Sequence, residues 1–369
     1  MRRSLSLAGA GIHNTAVRVQ PCDDIGRPTD SLLSSSFAAL DLMSSSGESL
    51  SPPARYRLLN PVRQSRSAPA MTTTSNGPWA CEDLQGKVKL GVCAMDKKAK
   101  SRPMQEILSR LRKFTNGEDG SELSFQIINF GNNMILDEPV ENWPVVDSLI
   151  SFFSAGFPLE KALEYTKLHP QVRLVNDLEK QKLLLDRRLV YRLLRENSIP
   201  VSKQLIMSRE EGSEDVLDED DDWVEVNGER MVKPFVEKPF DADDHSIHIY
   251  YPKNVGGGHK RLFRKVGNQS SRMYPDESSV RREGSYIYEE FLPTEGTDVK
   301  VYTVGQAYAH AEARKSPALD GIVKRDAEGR EVRWPVILSA QEKEIAYKVV
   351  EVFGQNVCGC DPRESLTLK

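Results

Sequence analysis

Lysine and arginine recur in this sequence at the ends of segments that read as strands. Lys238 sits near the end of Phe235-Val236-Glu237-Lys238-Pro239. Arg264 and Lys265 follow Gly256-Gly257-Gly258, and Arg314 and Lys315 follow Ala311-Glu312-Ala313. Lys97, Lys98, Lys100 and Arg102 crowd the loop after an apolar stretch, and Arg333 comes later. Strand ends are where α/β folds hold ligands, so cations converging there fit a small, densely anionic ligand. Lysine offers phosphate a point charge and arginine a planar fork. A triple glycine lets backbone approach phosphate with open N–H donors, although a flexible hairpin tip is the more frequent use of such a run. Tyr288-Glu289-Glu290-Phe291-Leu292-Pro293 has the form of a hinge that can hydrogen-bond an adenine edge. Each signal alone is weak, because most basic side chains are simply solvated surface.

These residues need a scaffold, and the hydrophobic pattern predicts one. Segment 87–93 becomes continuously apolar, as in a parallel sheet. Strands are expected over 125–130 and 145–152, with an amphipathic helix carrying Met104, Ile107, Leu108 and Leu111 between the first two. Pro158 suits the first position of another helix. This alternation predicts a small doubly wound α/β unit over 86–175. Asn176 or Asp177 then caps a long helix reaching Asn197. Beyond Pro200 the pattern is mostly β, with strands expected over 204–207, 230–236, 246–251, 261–266, 286–291, 299–304, 307–313 and 332–338. A helix over 340–352 follows. The acidic run 214–222 reads as a solvated loop. The second unit, 176–361, is therefore of the α+β class.

Composition narrows the function further. The chain has 369 residues, 39% hydrophobic and 28% charged, which suits a globular protein rather than a fibrous or disordered one. Its apolar runs fall short of the ~20 residues of a membrane helix. With 50 basic and 54 acidic residues the net charge is −4, which argues against a nucleic-acid partner. Cys22, Cys81, Cys93, Cys358 and Cys360 show no CxxC spacing, so neither a disulfide framework nor structural zinc is expected. A reducing compartment, the cytosol, and a monomer are the expectations. Residues 1–85 are Ser-rich and read as a disordered extension. Their start, Met1-Arg2-Arg3-Ser4, also resembles a transit peptide, and Met71 is a candidate internal start.

Taken in order, DKKAKS at 96–101, VNDL and DRR at 175–188, VEKPF and DDH at 236–245, GGG and RLFRKVG at 256–267, SYIYEEFLP at 285–293, GTDVKVYTVG at 296–305 and AEARKSPALDG at 311–321 form a set. The set resembles the kinase domain of the diphosphoinositol-pentakisphosphate kinases, also called inositol hexakisphosphate kinases of the histidine-acid-phosphatase-linked type. The resemblance implies an ATP-grasp fold and transfer of the ATP γ-phosphate to inositol hexakisphosphate or diphosphoinositol pentakisphosphate, as a diphosphoinositol-pentakisphosphate 1-kinase does. It implies ATP and Mg²⁺ as cofactors. By position, Lys97, Lys98, Arg264, Lys265 and Arg333 match substrate-phosphate contacts. Arg187 and Arg188 lie at an ATP-phosphate arginine, Lys238 and Lys300 match lysines on ATP, and Glu289, Glu290 and Leu292 match the adenine hinge. His245 matches a residue near the transferred group, which with Lys238 and Arg333 makes the expected catalytic set. Asp361 matches the first magnesium-binding acid.

Some positions depart from the family. Cys360 stands where Phe is usual, and Phe153 and Ala155 stand where His and Lys are usual. Two further magnesium ligands of the family have no counterpart after Asp361, and residues 362–369 read as a tail outside it. The ATP-grasp unit is thus expected to be incomplete. The alternative expectation is a catalytically inactive protein that binds inositol polyphosphate and ATP. A carboxylate–amine ligase would share the fold without needing so many substrate-side cations.

Overall fold

The computed structural model describes residues 86–114 and 123–361. The extension expected over 1–85, with its transit-like start and Met71, and the tail expected over 362–369 lie outside the described residues. Strands β1 (Gly86–Cys93), β2 (Leu123–Asn129), β3 (Ser148–Ser151) and β4 (Arg173–Leu174) form a parallel sheet in the order β2-β1-β3-β4. Val92 and Ile150 pack with Met104 and Leu108, whereas Cys93 and Leu149 pack with Ile135, Leu159 and Leu163. Successive strand residues face opposite sides, so helices cover both faces and the sheet is doubly wound, as expected. The helices are α1 (Asp96–Ala99), α2 (Arg102–Lys113), α3 (Gly131–Asp137) and α4 (Leu159–Leu168). Ser101 starts α2 by accepting a hydrogen bond from the Met104 amide. Pro158 is the N-cap of α4 rather than its first helical residue. The strand order reverses between β1 and β3, and a switch of this kind opens a crevice beyond the strands' carboxyl ends.

The single long helix expected over 176–197 is two: α5 (Leu178–Leu183) and α6 (Arg187–Glu196). Two aspartates divide it. Asp177 accepts from the Lys180 amide and Asp186 from the Arg188 amide, so each caps a helix of its own. Asp186 also bridges to Asp241, which pulls the backbone out of helical register.

An antiparallel six-stranded sheet follows in the order β12-β11-β10-β9-β13-β5. Its strands are β5 (Gln204–Met207), β9 (Phe235–Pro239), β10 (Ile247–Tyr250), β11 (His259–Val266), β12 (Gln269–Tyr274) and β13 (Tyr286–Glu290). A small meander, β6 (Leu217–Asp220), β7 (Trp223–Val226) and β8 (Glu229–Val232), lies against one face through Val224, Val226 and Met231. The acidic run read as a loop therefore contains strand β6, paired to β7. Pairing with Trp223 to Val226 overrides the poor strand propensity of aspartate. The strand expected over 230–236 is split into β8 and β9 at Pro234, which has no N–H for the ladder.

The last sheet, β16-β15-β14-β17, comprises β14 (Thr297–Val304), β15 (Tyr308–Lys315), β16 (Arg333–Val336) and β17 (Val357–Cys360). Helix α7 (Ala340–Phe353) packs Ile345 and Phe353 against Tyr191 and Ile287, and Ala346 against Val299 and Val301. One helix thus ties the second sheet to the third. Among the described residues, no helix is long and apolar enough to cross a membrane.

Candidate functional site between two sheets

Cross-strand partners share a face. Lys238 is opposite Ile287 and Glu289 opposite Val236, so both side chains lie on the α6 side of the second sheet. There Lys238 Nζ meets Glu289 Oε2 at 2.7 Å, with the two residues only 6% and 3% exposed. Tyr191 donates to the same carboxylate at 2.6 Å, and Ser202 donates to it as well. Burial alone would raise the Glu289 carboxyl, but Lys238 and these donors hold it below the usual carboxylate range. The acid expected at an adenine hinge is therefore the buried counter-ion of the lysine expected on ATP. Glu290 is exposed, with its amide donating to the Lys203 carbonyl at 3.0 Å, and Leu292 is half-buried just beyond the strand.

The loop after β9 is shaped by Arg187. Its NH1 donates to the carbonyls of Pro239 and Asp241, and its NH2 to those of Ala242 and Asp244. All four terminal N–H bonds of an arginine are used in this way. This arrangement spends the terminal fork on the loop at the position where the resemblance implies an ATP-phosphate arginine. Arg188 instead grips Asp186 at 2.7 Å and Glu210 at 2.8 Å, and its guanidinium lies over Phe240.

The loop delivers His245. Burial, then the charges of Arg264 and Arg187, hold its imidazole below the usual histidine value. A neutral ring is the result at pH 7. Its Nδ1 is buried without a hydrogen-bond partner, and so is NH1 of Arg264. The other arm of Arg264 donates to the Asp243 carbonyl and carboxylate, both at 3.1 Å. A register shift between Leu262 and Val266 interrupts β11 at this point, and such irregularities re-aim side chains.

Lys265 joins a second group. Its Nζ lies 2.5 Å from Glu331, whose other oxygen receives Arg333 at 3.2 Å and Arg314 at 4.0 Å. Arg333 also donates to Tyr302 at 2.9 Å. Lys300 on β14 faces Asp361, the residue just after the neighbouring strand β17, at 3.7 Å. Segment 316–323 straps the two sheets together: Ser270 donates to the Gly321 carbonyl, Ser271 to that of Pro317, and Lys260 to that of Ala318. Lys97 and Lys98 lie on α1, just beyond the carboxyl end of β1 at the switch point.

The triple glycine does not cradle a ligand here. The amides of Gly256, Gly257 and Gly258 donate to Lys253, Pro252 and Ser278 respectively. The run is a tight turn after Pro252, and its glycine requirement is conformational, with all three at positive φ.

Among the described residues no three His, Cys, Asp or Glu side chains converge as a metal cage. The donor chemistry suits a partial site. Burial raises the Asp298 carboxyl, and the charge of Asp361 pushes in the same direction, a repulsion that a cation between them would relieve. Mg²⁺ is commonly held by one or two carboxylates, with phosphates and water completing the shell.

Sequence reading missed Glu331, Asp298, Asp243 and Tyr191. A signal existed for two of them: Glu331 is two residues from Arg333 and Asp298 two from Lys300, the spacing of one strand face. Nothing local marks Tyr191 as a partner of Glu289.

Residues 88–186 match the sequence profile of the family described as "Diphosphoinositol pentakisphosphate kinase 2 N-terminal domain". The inositol hexakisphosphate and diphosphoinositol-pentakisphosphate kinase VIP1 of Arabidopsis thaliana is 55% identical over 277 residues, covering 74% of this chain and 26% of that protein. The human kinase 2 of the same name is 55% identical over 278 residues, covering 74% and 22%. The Saccharomyces cerevisiae kinase is 48% identical over 296 residues, covering 74% and 25%. The chain therefore spans about a quarter of the length of these curated relatives. A D-cycloserine synthetase, DcsG, is a distant structural neighbour at 13% identity and a TM-score of 0.39, covering 73% of this chain and 82% of its own. At about half identity over three quarters of its residues, the chain is similar to the inositol hexakisphosphate and diphosphoinositol-pentakisphosphate kinases over about a quarter of their length.

Proposed function

We propose that this chain binds ATP and transfers its γ-phosphate to inositol hexakisphosphate or diphosphoinositol pentakisphosphate. In this reading residues 86–175 are a preceding α/β domain and 176–361 an ATP-grasp domain. One observation carries it: Lys265, Arg314 and Arg333 converge from two sheets, and next to Lys265 in sequence, Arg264 keeps a buried N–H unpartnered. An orphaned guanidinium nitrogen and an orphaned imidazole nitrogen in one region call for an oxygen-rich ligand.

Phosphoryl transfer asks little covalent chemistry of a protein; it asks for alignment and charge neutralisation. Lys238 and Lys300 would meet the nucleotide phosphates, and the end of β13 at Glu290 and Leu292 would take the adenine. His245, neutral and backed by the loop that Arg187 holds, would hydrogen-bond the group in transit. Arg264, Lys265 and Arg333 would hold the acceptor's phosphates, and Lys97 and Lys98 would add charge from the first sheet. Asp361 and Asp298 would hold a Mg²⁺ arriving with the nucleotide, which supplies neutralisation of the phosphates when bound.

The test is the 369-residue chain with γ-labelled ATP and inositol hexakisphosphate. A labelled inositol pyrophosphate is expected on anion exchange, and calorimetry that finds no inositol hexakisphosphate binding would refute the proposal. A second reading, binding without turnover, is favoured by the closed Lys238–Glu289 pair and by Arg187 being engaged with carbonyls. Binding of both ligands with no labelled product would select it.

A further inference from the structure

The cations of the acceptor side are held from beneath. Lys265, Arg314 and Arg333 come from β11, β15 and β16, three strands of two sheets. Their side chains are 32%, 35% and 31% exposed, whereas the Glu331 side chain that they share is 14% exposed. The carboxylate is therefore the deeper member, with the cations' outer sides open to solvent. Glu331 is itself fixed: Arg325 and Glu331 form an isolated bridge, and the Val332 amide donates to the Lys324 carbonyl at 2.9 Å.

Three like charges gathered without a ligand repel one another, and partial burial adds to that cost. We propose that Glu331 is a positioning residue, the internal counter-ion that keeps Lys265 charged and aligned with Arg314 and Arg333 so that a polyphosphate meets a preassembled cation triad. This rests on the acceptor-site reading given above and deepens it by naming what maintains the site.

The electrostatics run the same way. Burial pulls the Lys265 ammonium below the usual lysine value, and Arg314 and Arg333 pull it further, while Glu331 props it up by hydrogen bond and charge. Removing the Glu331 charge takes away the supporting contribution and leaves the three that oppose it. Lys265 then loses its proton at lower pH, and a positive charge is lost from the triad as pH rises. Of the other acids in the cluster, Glu312 faces Arg333 at 3.4 Å and Asp298 faces Arg314 at 3.7 Å, so they brace the arginines.

The test compares wild type, Glu331→Gln and Glu331→Asp in the full chain. Lysine side chains are first titrated by ¹³C NMR without ligand, with Lys265→Arg assigning the signal. Glu331→Gln is expected to shift the Lys265 titration to lower pH, and Glu331→Asp to restore part of the shift. Calorimetry then measures inositol hexakisphosphate and a non-hydrolysable ATP analogue between pH 6.5 and 9. Glu331→Gln should weaken inositol hexakisphosphate about tenfold at alkaline pH, equivalent to about 1.4 kcal/mol, with a smaller loss at pH 6.5. An unmoved Lys265 titration overturns the inference. So does equal or tighter inositol hexakisphosphate binding by Glu331→Gln at alkaline pH. An equal loss of ATP-analogue affinity overturns it too, because Glu331 would then be a general structural residue. Absence of inositol hexakisphosphate binding by the wild type, with the lysine shift present, refutes the proposed function while the hold of Glu331 on Lys265 stands.

Discussion

Glu289→Gln tests the buried ion pair of the second sheet. The substitution keeps shape and hydrogen-bonding capacity but leaves Lys238, 6% exposed, facing an amide in place of a carboxylate 2.7 Å away. Breaking one side of a buried ion pair costs about 3–5 kcal/mol, because the remaining charge stays desolvated. That is a large fraction of a typical domain stability of about 5–15 kcal/mol. In Lys238→Met/Glu289→Gln no charge is stranded; one of Tyr191 and Ser202 can still donate to the amide oxygen, and the other hydroxyl can turn to accept from the amide NH₂. The double variant is expected to recover all but about 1–2 kcal/mol of the loss. Urea unfolding of the four species at pH 7 gives the cycle. A single-variant loss below about 1 kcal/mol, or a double variant as unstable as the single, would refute the buried-pair argument. The pH dependence has a definite sign. Glu289 is held below its unfolded value, so its contribution is full above that value and is lost as pH falls through the lower, folded one. Wild type should therefore lose stability in acid more steeply than the double variant. The folded double variant also separates roles: it should lose ATP binding, and wild-type ATP affinity would make Lys238 purely structural.

Three further outcomes follow from individual residues. Lys98→Ala should weaken inositol hexakisphosphate binding more than ATP binding in calorimetry, because in the proposed reading Lys98 serves the acceptor side; equal losses would contradict that assignment. Gly258→Ala should destabilise by about 1–3 kcal/mol, since the residue sits at φ +73° and a Cβ would lie 2.5 Å from the Tyr274 carbonyl oxygen; an unchanged thermal midpoint would contradict the strain. Arg187→Ala removes the donors from four carbonyls, so amides over 239–246 should exchange hydrogen faster by about an order of magnitude while the parallel sheet stays protected; unchanged protection of that loop would show that other contacts hold it.

Much of the framework could be read locally. The apolar run at 87–93 marked β1, strands were expected where β3, β13 and β14 lie, and a helix was expected where α7 forms, which the Ser339 and Glu342 capping box starts. Local chemistry also misled. The aspartates that looked like one helix cap and one ordinary helical residue are two caps, because Asp186 also pairs across to Asp241. Strand β6 hides in an acidic run because its partner β7, not its own composition, makes it a strand.

The positions of the charged groups along the strands follow from spacing, because the period of two is a property of the backbone alone. Their partners do not. Lys238 was legible as a lysine near a strand end, but its union with Glu289, Tyr191 and Ser202 depends on β9, β13 and α6 meeting in a buried layer. Arg187 was legible as a cation, and only the returning loop shows that its donors are used on carbonyls. Glu331 draws Lys265, Arg314 and Arg333 together from separate strands of two sheets. The physical reason is that charge pairing acts through space and is strengthened by burial, and both are set by how the sheets pack, not by neighbours along the chain.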